Sequence, residues 1–132
     1  MICVSNWHHV FAGFSLINLK SQTMNNQYQE CIDACLRCAA ACNHCASSCL
    51  KEDNVAHMRN CIQTDLECAT VCYAAAQLMS LGSSRAKEFC RLCADICDAC
   101  ARECERHEHD HCKACAEACR QCAEECRKMS AM

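Results

Sequence analysis

The residues that could do chemistry in this chain are its cysteines, and their spacing says how they are arranged. Cys31, Cys35, Cys38, Cys42, Cys45 and Cys49 are separated alternately by four and three residues; so are Cys90, Cys93, Cys97, Cys100 and Cys104, and again Cys112, Cys115, Cys119, Cys122 and Cys126. Cys61, Cys68 and Cys72 fit the same rule, with Thr64 and Asp65 where one more cysteine would stand. An alternating 3/4 repeat marks one face of an α-helix, on which side chains three or four apart have Cβ atoms about 5–6 Å apart. One thiolate-metal-thiolate unit can span that gap. Each CxxxC pair, such as Cys31/Cys35, Cys68/Cys72 or Cys115/Cys119, is then a candidate two-coordinate site, and a facing helix can supply a third ligand.

Ligand softness and charge choose the metal. Thiolates select Cu(I) among the abundant first-row ions, whereas Zn(II) prefers closed tetrahedral sites. Nineteen inward-facing thiolates would carry a charge of -19, which no protein interior tolerates uncompensated. One monovalent cation per thiolate cancels that charge, while zinc in four-thiolate sites leaves about -2 at each. With no metal the thiols can stay protonated, so the empty protein can remain folded, unlike a zinc finger. Cysteine is also among the most buried residue types, and one or two would be read as core filler. Nineteen on one face, with alanine used freely elsewhere, are not.

Extending each cysteine row by the same rule makes the two ends of the assembly differ. One end gathers Glu52, Asp53, His57, His107, His109 and His111; the other gathers Met24, Tyr28, Met79 and Met129, with Leu78 and Phe89 beside them. Copper is expected to enter and leave at the first end, where His57, His107, His109 and His111 with Asp53 could pass ions to Cys49, Cys61, Cys104 and Cys112. Any one of these histidines is equally well read as part of a solvated polar turn; their convergence raises the group above its members. The methionines are expected to plug the far end as core filler. His44 lies beside the row and is expected at the surface or between helices.

The elements that must position these residues are four helices. Alanine, Glu, Arg, Gln and Lys fill the gaps between cysteines and are good helix formers. The expected spans are near 26–51, 54–80, 84–105 and 110–128, with Asp53, Ser83 or Ser84, and Asp110 as N-caps and Gly82 as a C-terminal cap. Short connections force antiparallel neighbours, so the fold class is all-α, an up-down-up-down four-helix bundle with a cysteine-lined core. Residues 1–24 differ in composition, with Cys3, the single Trp and few charges. They are expected to be an N-terminal extension, either an extra helix or disordered, ahead of the bundle at 25–132.

Composition removes several function classes. The chain has 132 residues, no proline, two glycines and a net charge of -3, so it is long enough for one domain and has no basic stripe for nucleic acid. The apolar stretch from Val10 to Leu19 is too short and too interrupted for a membrane span and lacks the basic flank of an export signal. A cytosolic location is therefore expected, where thiols stay reduced and dense cysteine points to metal or redox chemistry.

The runs CIDACLRCAAACNHCASSC, CIQTDLECATVC, CADICDACARECERHEHDHCKAC and CAEECR resemble the cytosolic copper storage proteins of bacteria. The resemblance covers roughly residues 25 to 130. It implies a cysteine-lined four-helix bundle, thiolate ligation of many Cu(I) ions per chain, a histidine-containing entrance and assembly into homotetramers. A copper chaperone or a small-thiol donor is the expected source of metal, with no nucleic-acid or membrane partner and no enzymatic activity. Cys3, His8 and His9 fall outside the matching pattern and inherit nothing.

Rival readings come from other classes. Six CxxC pairs, including Cys35/Cys38, Cys90/Cys93 and Cys119/Cys122, suggest a thiol redox protein, but such enzymes use one exposed pair on a βαβ scaffold. A ferredoxin run ending in Cys-Pro is impossible without proline. A di-iron bundle needs two Glu-x-x-His motifs, and only Glu108/His111 occurs. The serious alternative is a metallothionein-like zinc or cadmium buffer, distinguished by holding about one ion per four thiolates.

Overall fold

The computed structural model describes the backbone from Leu19 to Met132 and side chains from Tyr28 onward. Cys3, His8, His9 and the rest of residues 1–18 lie outside the described residues, as does the Met24 side chain. Four helices follow in order: α1 (Leu19–Cys49), α2 (Arg59–Ser80), α3 (Ala86–Cys104) and α4 (Asp110–Ser130), with a single 3-10 turn at Val55–Met58 between α1 and α2. Each helix packs on its two neighbours, α1 on α2 and α4, and α3 on α2 and α4. This is the expected antiparallel bundle. Helix α1 begins seven residues before the expected Asn26, so part of the 1–24 stretch is continuous with it.

The turns show where local sequence sets the helix ends. The α2 helix closes in a Schellman motif: Gly82 sits at φ +63°, Gly82 N–H donates to the Met79 carbonyl at 3.1 Å and Ser83 N–H to the Leu78 carbonyl at 3.0 Å. Only glycine adopts that φ without cost, so the cap expected at Gly82 is present. The N-caps shift from their expected places. Asn54 rather than Asp53 accepts the His57 N–H at 3.3 Å and starts the 3-10 turn, which delays α2 to Arg59. Ser83 Oγ accepts from Arg85 N–H at 3.1 Å just ahead of α3. His109, in extended conformation, precedes α4, and Asp110 is its first residue, where its charge suits the helix dipole.

The interior is made of small side chains. All nineteen described cysteines are buried with free thiols, and Ala39, Ala75, Ala101 and Ala123 are fully buried along the helix contacts. Alanine at the seams lets the backbones approach, and cysteine fills the centre that remains. Larger apolar groups are confined to the ends: Met58 near the first turn, Met79 and Met129 at the other. Cys90 Sγ–H donates to Met79 Sδ at 3.7 Å, so the methionine plug touches the sulfur core. Outside, Arg120 bridges Glu105 (2.9 and 3.1 Å) and Asp98 (3.2 Å), and Arg127 also pairs with Asp98, tying α3 to α4.

Candidate metal centre

The cysteine rows of all four helices meet in one connected body of sulfur. Helices α1 and α4 are joined by Cys35/Cys122 at 3.6 Å, Cys42/Cys115 at 3.6 Å and Cys38/Cys119 at 3.7 Å. Helices α2 and α3 are joined by Cys68/Cys97 at 3.6 Å, Cys72/Cys93 at 3.7 Å and Cys61/Cys104 at 3.7 Å. Contacts also cross the bundle diagonally, Cys38 to Cys97 at 4.0 Å and Cys72 to Cys122 at 3.8 Å. Pairs within one helix, Cys45/Cys49 and Cys93/Cys97, lie at 3.9 and 3.8 Å. The sulfurs are too far apart for disulfides. An ion about 2.3 Å from each of two such sulfurs would subtend an S-metal-S angle of roughly 100–120°, suited to trigonal or tetrahedral coordination.

Connectivity separates one kind of metal centre from another. Sulfur quartets close enough to hold one ion include Cys35/Cys93/Cys122/Cys126, Cys38/Cys72/Cys97/Cys122, Cys38/Cys42/Cys68/Cys119, Cys42/Cys100/Cys115/Cys119 and Cys45/Cys49/Cys61/Cys112. Cys38, Cys42, Cys119 and Cys122 each belong to two of these five. Closed tetrahedral ions with private ligands can therefore fill no more than three of them at once. Ions that share thiolates face no such limit. Cys31 and Cys90 extend the network to the methionine end, Cys31 meeting Cys126 at 3.8 Å.

Asp65 stands in the middle of the sulfur. It is fully buried; Cys100 and Cys115 Sγ–H donate to its Oδ1 at 3.3 Å, Cys104 at 3.5 Å, and Cys61 donates to Oδ2 at 3.8 Å. Burial pushes its carboxyl far above the usual range, so it is neutral in the metal-free protein. The break in the α2 cysteine row at Thr64 and Asp65 was the sequence signal for this group, yet the pattern alone did not mark Asp65 as a candidate ligand. The Thr64 hydroxyl instead donates to the Cys61 carbonyl at 3.1 Å.

The histidine end resolves into two groups. His111 Nδ1 is 3.4 Å from Cys45 Sγ and 3.5 Å from Cys112 Sγ, while its Nε2 is 2.9 Å from Glu52 Oε1. His109 Nδ1 is 3.5 Å from the same oxygen, and its ring stacks parallel to that of His111. His57 and His107 form the other group, edge to face with ring centres 5.3 Å apart, with His107 Nε2 3.1 Å from Glu103 Oε1. Glu52, and not the expected Asp53, is the carboxylate that meets imidazole; Asp53 lies on an exposed turn. Burial pushes the Cys49 and Cys112 thiols up at this end. Burial opposes charge on His111, but hydrogen bonds with Cys45 and Glu52 outweigh it and raise its pKa. His44 is exposed on α1.

Comparison with known proteins matches this architecture. The family model for copper storage proteins fits residues 24–131. An uncharacterized cysteine-rich protein of Bacillus subtilis, YhjQ, is 54% identical over 86 residues, 64% of this chain and 80% of that protein. The Cu(I)-bound copper storage protein BsCsp3 is 51% identical with a TM-score of 0.76, covering 79% of this chain and 98% of its own. A cytosolic copper storage protein from Streptomyces lividans, in a form with five coppers, is 41% identical with a TM-score of 0.81, covering 84% of this chain and 98% of its own. By the model match and by these identities, the chain belongs to the copper storage protein family.

Proposed function

We propose that this protein stores Cu(I) in the cytosol, binding many ions per chain through Cys31, Cys35, Cys38, Cys42, Cys45, Cys49, Cys61, Cys68, Cys72, Cys90, Cys93, Cys97, Cys100, Cys104, Cys112, Cys115, Cys119, Cys122 and Cys126. The observation that carries this reading is the overlap of sulfur quartets, four of whose cysteines serve two groups each. Such a network suits bridging thiolates and a monovalent cargo, and metal enters as each thiol gives up its proton. The related Streptomyces lividans protein, described as cytosolic, supports the location. His111, whose Nδ1 faces Cys45 and Cys112 while the ring reaches outward, is the best-placed portal residue; His109 stacks on it, and His57 and His107 form a second pair at the same end.

The alternative buffers fit less well. Closed zinc or cadmium sites with unshared ligands cannot all be filled in overlapping quartets, and a thiol redox protein needs one distinctive exposed pair, whereas every described cysteine is buried. The homotetramer implied by the resemblance is supported by a mostly apolar hollow between α2 and α3, lined by exposed Leu66 with Val71 and Ile96. A copper chaperone or a small thiol would deliver its metal at the histidine end.

Anaerobic titration of the reduced protein with Cu(I), against a competing chelator and in parallel with zinc, tests the proposal. Uptake of more than about ten Cu(I) per chain is expected, with about four zinc ions at most in closed four-thiolate sites. Saturation with Cu(I) near four or five ions would mean discrete sites and would end the bridged-store reading.

A further inference from the structure

His111 has two chemically different sides. Its Nδ1 faces soft sulfur, whereas its Nε2 points outward at Glu52 Oε1, 2.9 Å away. That oxygen also lies 3.5 Å from His109 Nδ1, and the two rings are parallel within 4° with centres 5.2 Å apart. Two imidazole nitrogens therefore lie within 3.5 Å of one carboxylate oxygen outside the thiolate core. The donor set differs in kind from the core: nitrogen and oxygen suit borderline divalent ions such as Zn(II), Co(II) or Cu(II), while Cu(I) is drawn to sulfur. An ion about 2.0–2.2 Å from nitrogen and oxygen ligands holds neighbouring donors roughly 3.0–3.4 Å apart, and the two observed separations bracket that range.

The surroundings favour a cation here over the neighbouring histidine pair. A hollow of about 250 Å³ beside the site is lined by Glu52, Asp53, Asn54, His57, Met58 and His109. It offers space for water ligands and no lysine or arginine. At the His57/His107 group, by contrast, Arg106 sits 3.5 Å from Glu103 and already neutralises the carboxylate.

We propose that Glu52, His109 and His111 form an outer site for one divalent first-row cation, separate from the Cu(I) store and joined to it through the His111 ring. The site goes beyond copper storage, since it takes a different ion on different atoms.

The test begins with the full chain saturated anaerobically with Cu(I), so that the thiolates are occupied, and adds Co(II). One Co(II) per chain is expected, with the weak d–d bands of nitrogen and oxygen ligation and no sulfur-to-cobalt charge transfer. Zn(II), measured against a chromogenic chelator, should compete for the same place. His109→Ala and Glu52→Gln should each weaken binding about tenfold or more, and His44→Ala should leave it unchanged. His109 is partly exposed and its side chain makes no capping bond, so its removal spares the fold. Absence of Co(II) binding, intense sulfur charge transfer, or sensitivity to His57→Ala without sensitivity to His109→Ala would each overturn the proposal. Cu(I) capacity, measured on the same variants, fails or survives independently of these outcomes.

Discussion

The Asp65→Asn substitution, made in the metal-free, reduced protein, changes how stability depends on pH. In the folded state the carboxyl is fully buried among the thiols of Cys61, Cys100, Cys104 and Cys115, and that burial holds its pKa far above that of an ordinary aspartate. Unfolded, the same group ionises near pH 3.9. From about pH 4 upward the folded protein therefore carries one proton more than the unfolded chain, and its stability falls as pH rises by about 1.4 kcal/mol per pH unit for this one site. Between pH 5 and pH 7 the loss is about 2.7 kcal/mol, a large share of a typical stability of about 5–15 kcal/mol. The amide that replaces the carboxyl cannot ionise, so the variant escapes this loss. Urea denaturation of both proteins under reductant at pH 5, 6 and 7 should show the variant gaining on the parent by about 2.7 kcal/mol over that range. Groups common to both proteins, His111 and the surface carboxylates among them, cancel in the difference. A difference that stays constant with pH would mean that Asp65 is ionised in the empty core, and the neutral sulfur-carboxyl network described above would be wrong.

Other outcomes follow from the same geometry. Cys61→Ala exchanges one small core side chain for another and should cost only about 1 kcal/mol, while lowering Cu(I) capacity; extensive unfolding of the metal-free variant would contradict this. Loading at neutral pH should release about one proton per Cu(I), because buried thiols such as Cys49 and Cys112 are held protonated, and a weakly buffered titration with a pH indicator would read it directly. Gly82→Ala should destabilise the fold by about 1 kcal/mol through the positive φ alone, since nothing lies within 4 Å of a Cβ built there; an unchanged denaturation midpoint would refute that account.

Much of this protein is written in its spacing. A 3/4 repeat of cysteine over four segments fixes four helices and the face each turns inward, because a helix presents residues three and four apart on one side. Short connections then fix antiparallel neighbours, and Gly82 marks the end of α2 because a left-handed backbone position favours the residue with no side chain. The family followed from the same runs. What periodicity cannot carry is the pairing between rows, since it gives rotation about each axis but not the relative height of facing helices. Only the packed bundle makes Cys38 touch Cys97 and Cys119 on two different partners and so creates quartets that share sulfur. The same holds for Asp65, a gap in a pattern when read along the chain and the acceptor for thiols of three helices once folded. At the mouth, sequence gathered the four histidines at one end, but side-chain reach across the first and third turns decided the rest. Glu52 rather than Asp53 meets His109 and His111 across the two turns, and the group divides in two because His107 pairs instead with Glu103 of α3.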